Sequence, residues 1–272
     1  MTLTGRTAFI TGASRGIGRA IALRLAADGA NVVVTGKTAE PHRILPGTIH
    51  TVADEIRRQG SGVIAVQMDV RDETHVQAAV DRAIDAFGRI DILVNNASAI
   101  SLTGTDATPM KRFDLMHQVN VRGTFMCTQK CLPHLRRAGG AHVLNIAPPL
   151  NLAPRWFAPH VAYSMSKYGM SLCVLGMAEE FRADRIAVNA LWPRTLIDTS
   201  AMNLLPGADR SRSRTASIVA DAAHVIVTTD PSTCTGRFLI DEDVLREAGI
   251  TDLSVYRADP ASSGELADDL FL

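Results

Sequence analysis

Three groups of residues in this sequence have the types and spacing to do chemistry. In Tyr163-Ser164-Met165-Ser166-Lys167 a phenol and an amine stand four residues apart at the start of a helical run that extends to about Ala183. That spacing puts both on one helix face, with Cβ atoms about 5–6 Å apart. A free phenol, with a pKa of about 10, keeps its proton at neutral pH. A neighbouring ammonium favours the phenolate and brings the group towards the working range of a general acid or base that exchanges a proton with an alcohol or ketone oxygen.

The second group is Thr11-Gly12-Ala13-Ser14-Arg15-Gly16-Ile17-Gly18, between an apolar strand-like run and an amphipathic helix reaching about Asp28. Gly12, Gly16 and Gly18 allow a tight turn and close approach to the backbone. The helix N-terminus then offers free N–H groups to an anion. The functional reading is a dinucleotide diphosphate cradle made with Ser14, Arg15 and Ile17; the alternative is a purely structural turn. The third group selects among nucleotides. The second strand ends Val34-Thr35-Gly36-Lys37-Thr38, with no acid to accept from the ribose 2′-hydroxyl of NAD. Arg15 and Lys37 offer two cations for a 2′-phosphate, so NADP(H) is the expected cofactor, against the alternative that Lys37 is a solvated surface lysine. Asp69-Val70, closing the third strand, offers a carboxylate to the adenine amino group and an apolar contact to its ring, or Asp69 caps the next helix.

These groups need a scaffold, and the hydrophobic pattern supplies one. Thr7–Thr11, Asn31–Thr35, Val63–Met68, Ile90–Asn95, His142–Ile146, Ile186–Leu191 and Arg237–Asp241 read as strands separated by helix-length segments. Several are apolar almost throughout, as when helices cover both faces of a parallel sheet. The expected class is α/β: one doubly wound Rossmann domain with a seven-stranded parallel sheet flanked by helices on both faces, spanning residues 1–245. Residues 246–272 are expected to form a docking arm or oligomer contact. Thr38–His50, Ala147–His160 and Arg194–Arg214 read as irregular stretches. The last two follow strands five and six, on the edge where such sheets bind ligands.

Taken together, Thr11-Gly12-x3-Gly16-Ile17-Gly18, Asp69-Val70, Asn95-Asn96-Ala97, Val119-Asn120-Val121, Tyr163-x3-Lys167 and Asn189-Ala190-Leu191-Trp192-Pro193 resemble the short-chain dehydrogenase/reductase family over about residues 4–245. The resemblance implies that Tyr163 transfers the proton while Lys167 lowers its pKa and binds the nicotinamide ribose. It implies that Asn120 holds a water leading from Lys167 to solvent, that Asn96 and Ala97 line the cofactor channel, and that Pro193 and Thr195 contact the nicotinamide end. It also implies a homodimer or homotetramer paired through the helices after strands four and five. A lipid-carrier-type domain, present in one subgroup that the sequence resembles, is not expected within these residues.

One part of the family pattern fails. The family places a serine hydroxyl after strand five, three residues beyond an asparagine and about thirteen before the tyrosine. Those counts land here on Pro148 and Leu150, and Ala147–Pro159 contains neither Ser nor Thr. Asn151 or Ser98 could replace it. Arg194 stands where the family usually has Gly after the proline, an extra cation expected near the nicotinamide or substrate entrance. Two functions follow. One is an NADP(H)-dependent oxidoreductase interconverting a carbonyl and an alcohol on an apolar or acyl-type small molecule, in a pocket walled by Trp156, Phe157, Met202 and Leu204. The other is an NADP(H)-binding redox sensor with little or no turnover.

Composition narrows the field. The 272 residues are 46% hydrophobic and 21% charged, an ordinary globular balance, and 28 acids match 28 Lys plus Arg. No net positive field recruits nucleic acid or an anionic membrane. No apolar run is long enough to span a bilayer, and the opening residues show no secretory leader pattern. Cys127, Cys131, Cys173 and Cys234 lack metal-site spacing and are too sparse for a disulfide framework, so a reducing, cytoplasmic setting is expected and no metal site.

Overall fold

Runs that are apolar at nearly every position become strands buried on both faces. A computed structural model of the chain describes residues 3–41, 46–204, 207 and 209–272, with the side chain of Leu204 outside the description. The strands are β1 (Thr7–Ile10), β2 (Asn31–Gly36), β3 (Val63–Gln67), β4 (Ile92–Asn95), β5 (Ala141–Ile146), β6 (Ile186–Trp192) and β7 (Phe238–Ile240). All pair in parallel, in the order β3-β2-β1-β4-β5-β6-β7. Each of the seven expected runs is a strand, shifted by at most two residues at either end.

Successive side chains on a strand point to opposite faces, and two buried clusters result. Ala8, Ile10, Val32, Val34, Ile92 and Val94 pack on one face with α1 (Gly16–Ala27), α2 (Ile49–Arg58) and α7 (Ser217–Thr228). Phe9, Val33, Leu93 and Val143 pack on the other with α3 (Glu73–Phe87), α5 (Gly123–Ala138) and α6 (Val161–Glu180). The strand order reverses between β1 and β4, which opens a crevice at their carboxyl ends. The path from β4 to α5 includes α4 (Met110–Met116) and a π-helical segment, His117–Arg122.

After β7 the chain forms α8 (Asp241–Glu247), so residue 245 falls within a helix, and it then returns along the edge of the sheet. Thr215 N–H donates to Tyr256 C=O (2.7 Å) and the Tyr256 hydroxyl to Asp221 (2.9 Å). Beneath this path Arg214 and Glu242, both buried, pair at 2.8 Å. Among the described residues no helix is long and apolar enough to cross a membrane.

Candidate active site

A cavity of about 460 Å3 occupies the crevice, within the usual size range of small-molecule sites. Gly12, Ser14, Arg15, Gly16 and Ile17 line it, as do Lys37, Asp69, Val70, Asn96, Ala97, Tyr163, Lys167 and Pro193. The structure thus brings together thirteen of the residues singled out in the sequence, and leaves Gly18, Asn120 and Thr195 outside the lining.

At one end, β1 runs into the glycine turn. Gly12 adopts φ +65°, and a Cβ there would lie 2.8 Å from Ala97 Cα. A Cβ on Gly18 would meet Asn96 Nδ2 at 2.4 Å and Gly12 O at 2.7 Å. Gly18 therefore serves packing of the turn against the loop after β4, behind the cavity wall. The Asn96 amide locks that packing, donating to Thr11 O (2.9 Å) and Gly12 O (3.0 Å). Thr11 Oγ1 in turn accepts from the N–H groups of Asn96 and Ala97, each at 3.0 Å. Among the described residues no side chain caps the N-terminus of α1, and no acid sits in its first turn, so its positive end is left for an anion.

The two cations of the expected clamp both line this end, but each already has protein partners. Arg15 donates to Pro46 O (3.1 Å) and Gly47 O (3.0 Å), and Lys37 Nζ lies 3.3 Å from the Asp69 carboxylate. Arg71 grips the same carboxylate at 2.6 Å and, with Lys37, holds it well below the usual carboxylate range. The next helix is capped by Asp72, which accepts from the N–H groups of Thr74 and His75, so Asp69 stays on the cavity.

At the other end α6 presents Tyr163 and Lys167 on one face. Lys167 Nζ donates to Ile146 O at the end of β5 (2.8 Å) and sits 5.1 Å from the centroid of the Trp192 ring. Burial pulls the amine down to about 7. The Tyr163 phenol is pushed up, first by burial and then by the nearby charge of Asp269. The downward pull expected from Lys167 is not found; desolvation of a buried phenol opposes the charged form and sets the direction. Asn120 is fully buried in the π-helical segment. Its amide is spent on Ala99, accepting from N–H (2.7 Å) and donating to C=O (2.9 Å), and on Ser166 Oγ (2.9 Å). None of its hydrogen bonds goes to Lys167. Asn120 ties the loop after β4 to α6, and so fixes Tyr163 relative to the crevice.

The loop after β5 contributes no polar side chain to the cavity. Pro148 C=O accepts from Ser171 Oγ (2.7 Å); Asn151 Oδ1 accepts from Ala153 N–H (3.1 Å), and Asn151 C=O accepts from the Tyr168 hydroxyl (2.5 Å). Ser98 does line the cavity, from the β4 side. Of the expected apolar walls only Met202 lines it; Trp156 and Phe157 pack with the core, and the side chain of Leu204 lies outside the described residues. Arg194 turns its guanidinium away, to Asp243 at 2.6 Å, because acids at the start of α8 outcompete the cavity for it. Thr195 is buried and forms an antiparallel bridge with Asp268.

That bridge belongs to the feature the sequence reading missed. The C-terminal segment runs antiparallel to residues 194–196: Leu196 N–H donates to Ala267 O (2.9 Å), Asp269 N–H to Arg194 O (3.0 Å), and Trp192 Nε1 to Leu270 O (2.8 Å). Asp269 and Leu270 thereby line the cavity beside Tyr163. Phe271, with no exposed surface, lies among Tyr163 (6.2 Å between ring centroids), Tyr168 (5.3 Å), Trp192 (5.9 Å), Trp156 and His160. A signal was present: a polar run, Asp259 to Glu265, gives way to Leu266 and then to Leu270-Phe271-Leu272, an apolar stretch of the kind that is usually buried.

Comparison with known proteins assigns the family. The short chain dehydrogenase profile matches residues 6–206. Hydroxysteroid dehydrogenase-like protein 2 of Danio rerio is 55% identical over 271 residues, covering 99% of this chain and 64% of the relative. The chain therefore spans somewhat less than two thirds of that relative's length. A crystal structure of a putative dehydrogenase from Xanthomonas campestris superposes with a TM-score of 0.97 at 55% identity, covering 100% of this chain and 99% of the other. Two more distant structures contain nucleotides. A 7α-hydroxysteroid dehydrogenase complexed with NADH and 7-oxo glycochenodeoxycholic acid has TM-score 0.76 and 29% identity, covering 88% of this chain and 93% of its own. A metagenomic short-chain oxidoreductase in complex with NADP has TM-score 0.73 and 26% identity, covering 88% and 98%. The chain belongs to the short-chain dehydrogenase/reductase family of oxidoreductases.

Proposed function

We propose that this chain is an NADP(H)-dependent oxidoreductase that interconverts a carbonyl and an alcohol on an apolar or acyl-type small molecule. The observation that carries the reading is a single crevice with an anion cradle at one end and a buried phenol and amine at the other. The residues fit a nicotinamide dinucleotide. The uncapped start of α1 takes the diphosphate, Arg15 and Lys37 take a 2′-phosphate, Asp69 and Val70 take the adenine, and Lys167, Asn96, Ala97 and Pro193 take the nicotinamide end. When bound, the nicotinamide supplies or accepts hydride.

The protein's part is the proton. In reduction the Tyr163 hydroxyl donates to the oxygen that becomes the alcohol, so one proton is taken up per carbonyl reduced. The phenol carries its proton at neutral pH, as donation in this direction requires. Lys167, drawn down to about 7, exchanges a proton near neutral pH. Ile100, Leu196, Ile197, Met202 and Leu270 give the walls an apolar character that fits an acyl or ring substrate. Phe125 on α5 and Met165, Leu172 and Leu175 on α6 are large apolar side chains about half exposed, which supports a homodimer or homotetramer formed through those helices. The four cysteines are free, with Cys127 pushed up to about 12 by burial, in keeping with a cytoplasmic protein whose thiols pack rather than react.

The absence of a hydroxyl on the β5 loop supports the second reading, a redox sensor. Screening NADPH oxidation by the purified chain against steroids, retinals, quinones and fatty aldehydes separates the two. Turnover abolished by Tyr163→Phe is the expected result. Saturable NADPH binding with no turnover on the whole panel favours the sensor.

A further inference from the structure

We propose that Asp269, carried into the crevice by the returning C-terminal segment, holds the substrate's carbonyl oxygen beside Tyr163, where the loop after β5 offers no donor. The inference rests on the oxidoreductase reading.

The geometry is specific. Asp269 is anchored through its backbone, by its N–H to Arg194 O (3.0 Å) and by the neighbouring Leu270 C=O to Trp192 Nε1 (2.8 Å). Phe271 pins the segment from the far side. That ring is fully buried, and it is held in spite of a left-handed backbone, φ +75°, that a side chain of this size rarely adopts. With the backbone fixed, the side chain is left to the cavity. One carboxyl oxygen accepts from Leu270 N–H at 2.6 Å, and among the described residues no protein group bonds the other. The same cavity surface carries Tyr163 and Lys167. The positions that elsewhere in the family bear the hydroxyl are Pro148 and Leu150, and neither they nor Asn151, whose Oδ1 accepts from Ala153 N–H, line the cavity. Ser98 is the one hydroxyl that enters from β4, and it is the competing candidate.

A carboxyl can donate to a carbonyl oxygen only when protonated, and the surroundings favour that form. Burial pushes Asp269 up to about 7, with the charge of Asp241, at the start of α8, adding to the effect and Lys167, on α6, opposing it. Tyr163 faces it from α6 with a neutral phenol, and the one cation of residues 192–196, Arg194, is turned to Asp243. In the reduction direction the protonated carboxyl shares its hydrogen with the substrate oxygen without releasing it, while Tyr163 supplies the transferred proton.

The test uses the whole chain, NADPH and the carbonyl compound turned over fastest in the panel above. Asp269→Ala is expected to lower kcat about 100-fold, the usual scale for loss of one donor to developing oxyanion charge. Asp269→Asn, which keeps a donor, is expected to fall less than about 10-fold, and Ser98→Ala about 2-fold or less. The fall in wild-type kcat/KM above about neutral pH is expected to become shallower in Asp269→Asn, because an amide does not titrate and only the part that follows Lys167 is left. NADPH affinity, read by fluorescence, is expected to stay within about threefold in both Asp269 variants, since the carboxyl is assigned to substrate. Four results overturn the proposal: Asp269→Ala retaining its kcat, both variants falling equally with an unchanged pH profile, a tenfold or greater loss of NADPH affinity, or Ser98→Ala carrying the loss instead. A wild type inert on the whole panel overturns the oxidoreductase reading and this proposal with it. Turnover that ignores Asp269 overturns this proposal alone.

Discussion

The two ends of the crevice are built in opposite ways. At the end proposed for the nucleotide's adenine and phosphates, each group follows directly on its own strand: Gly12 to Ile17 after β1, Lys37 after β2, Asp69 and Val70 after β3. At the chemical end, Tyr163 and Lys167 come from the middle of the chain, the apolar wall from residues after β6, and the last polar group from the final turn of the tail. A site made of local turns needs only the sheet to align it. A site completed by a distant segment also needs that segment to dock, here through Phe271 and three backbone-anchored residues.

Predictions that probe this contrast run from large to small. Tyr163→Phe removes the proton-transfer hydroxyl while keeping the ring, and about a 10³-fold loss of kcat is expected with NADPH affinity unchanged. Steady-state kinetics paired with a binding titration check it; a parallel loss of affinity would merge the two ends. Phe271→Ala acts on docking. Loss of a buried phenyl costs about 3 kcal/mol, which amounts to about 100-fold faster amide exchange at Leu196 and Asp269 if the segment opens locally. The glycine turn should keep its protection. Uniform loss across both ends would mean that the tail is part of one cooperative unit.

Lys37→Ala acts only at the nucleotide end. NADPH affinity is expected to fall about tenfold, the scale of one charge-assisted contact, with NADH affected twofold or less. Equal losses in competing titrations would remove the phosphate clamp. His142 on β5 serves as a control. It is buried, among the described residues neither ring nitrogen has a hydrogen-bond partner at normal bonding distance and angle, and burial pulls it down to about 4. Its folded value lies below the unfolded one, so the unfolded chain binds more protons between about pH 4 and 6.5, and stability is lost as pH falls through that window. His142→Leu should remove about 1–2 kcal/mol of that loss at pH 5 in denaturant titrations while leaving kcat at pH 7 unchanged.

The contrast also explains what could be read from the sequence. All seven strands announced themselves because parallel strands buried on both faces are apolar almost throughout, and the glycine turn and the Tyr163–Lys167 pair are legible because their spacing lies within one turn of chain. Illegible were features set by packing between distant parts. Gly18 and Asn96 fit together across the switch point, so Gly18 serves the turn from behind the cavity. Asn120 spends its amide on Ala99 and Ser166 once the π-helical segment brings them together. The phenol's environment depends on burial and on Asp269 rather than on the amine one turn away, and the apolar run Leu270-Phe271-Leu272 signals burial without revealing that it brings Asp269 to the crevice.

The most direct test of the account is a crystal of the full chain grown with NADP+. The diphosphate is expected on the turn from Gly12 to Gly18, the 2′-phosphate beside Arg15 and Lys37, and the nicotinamide at the end that holds Tyr163, Lys167 and Pro193. Nucleotide bound elsewhere on the molecule, or bound in the crevice with its nicotinamide remote from Tyr163, would contradict it.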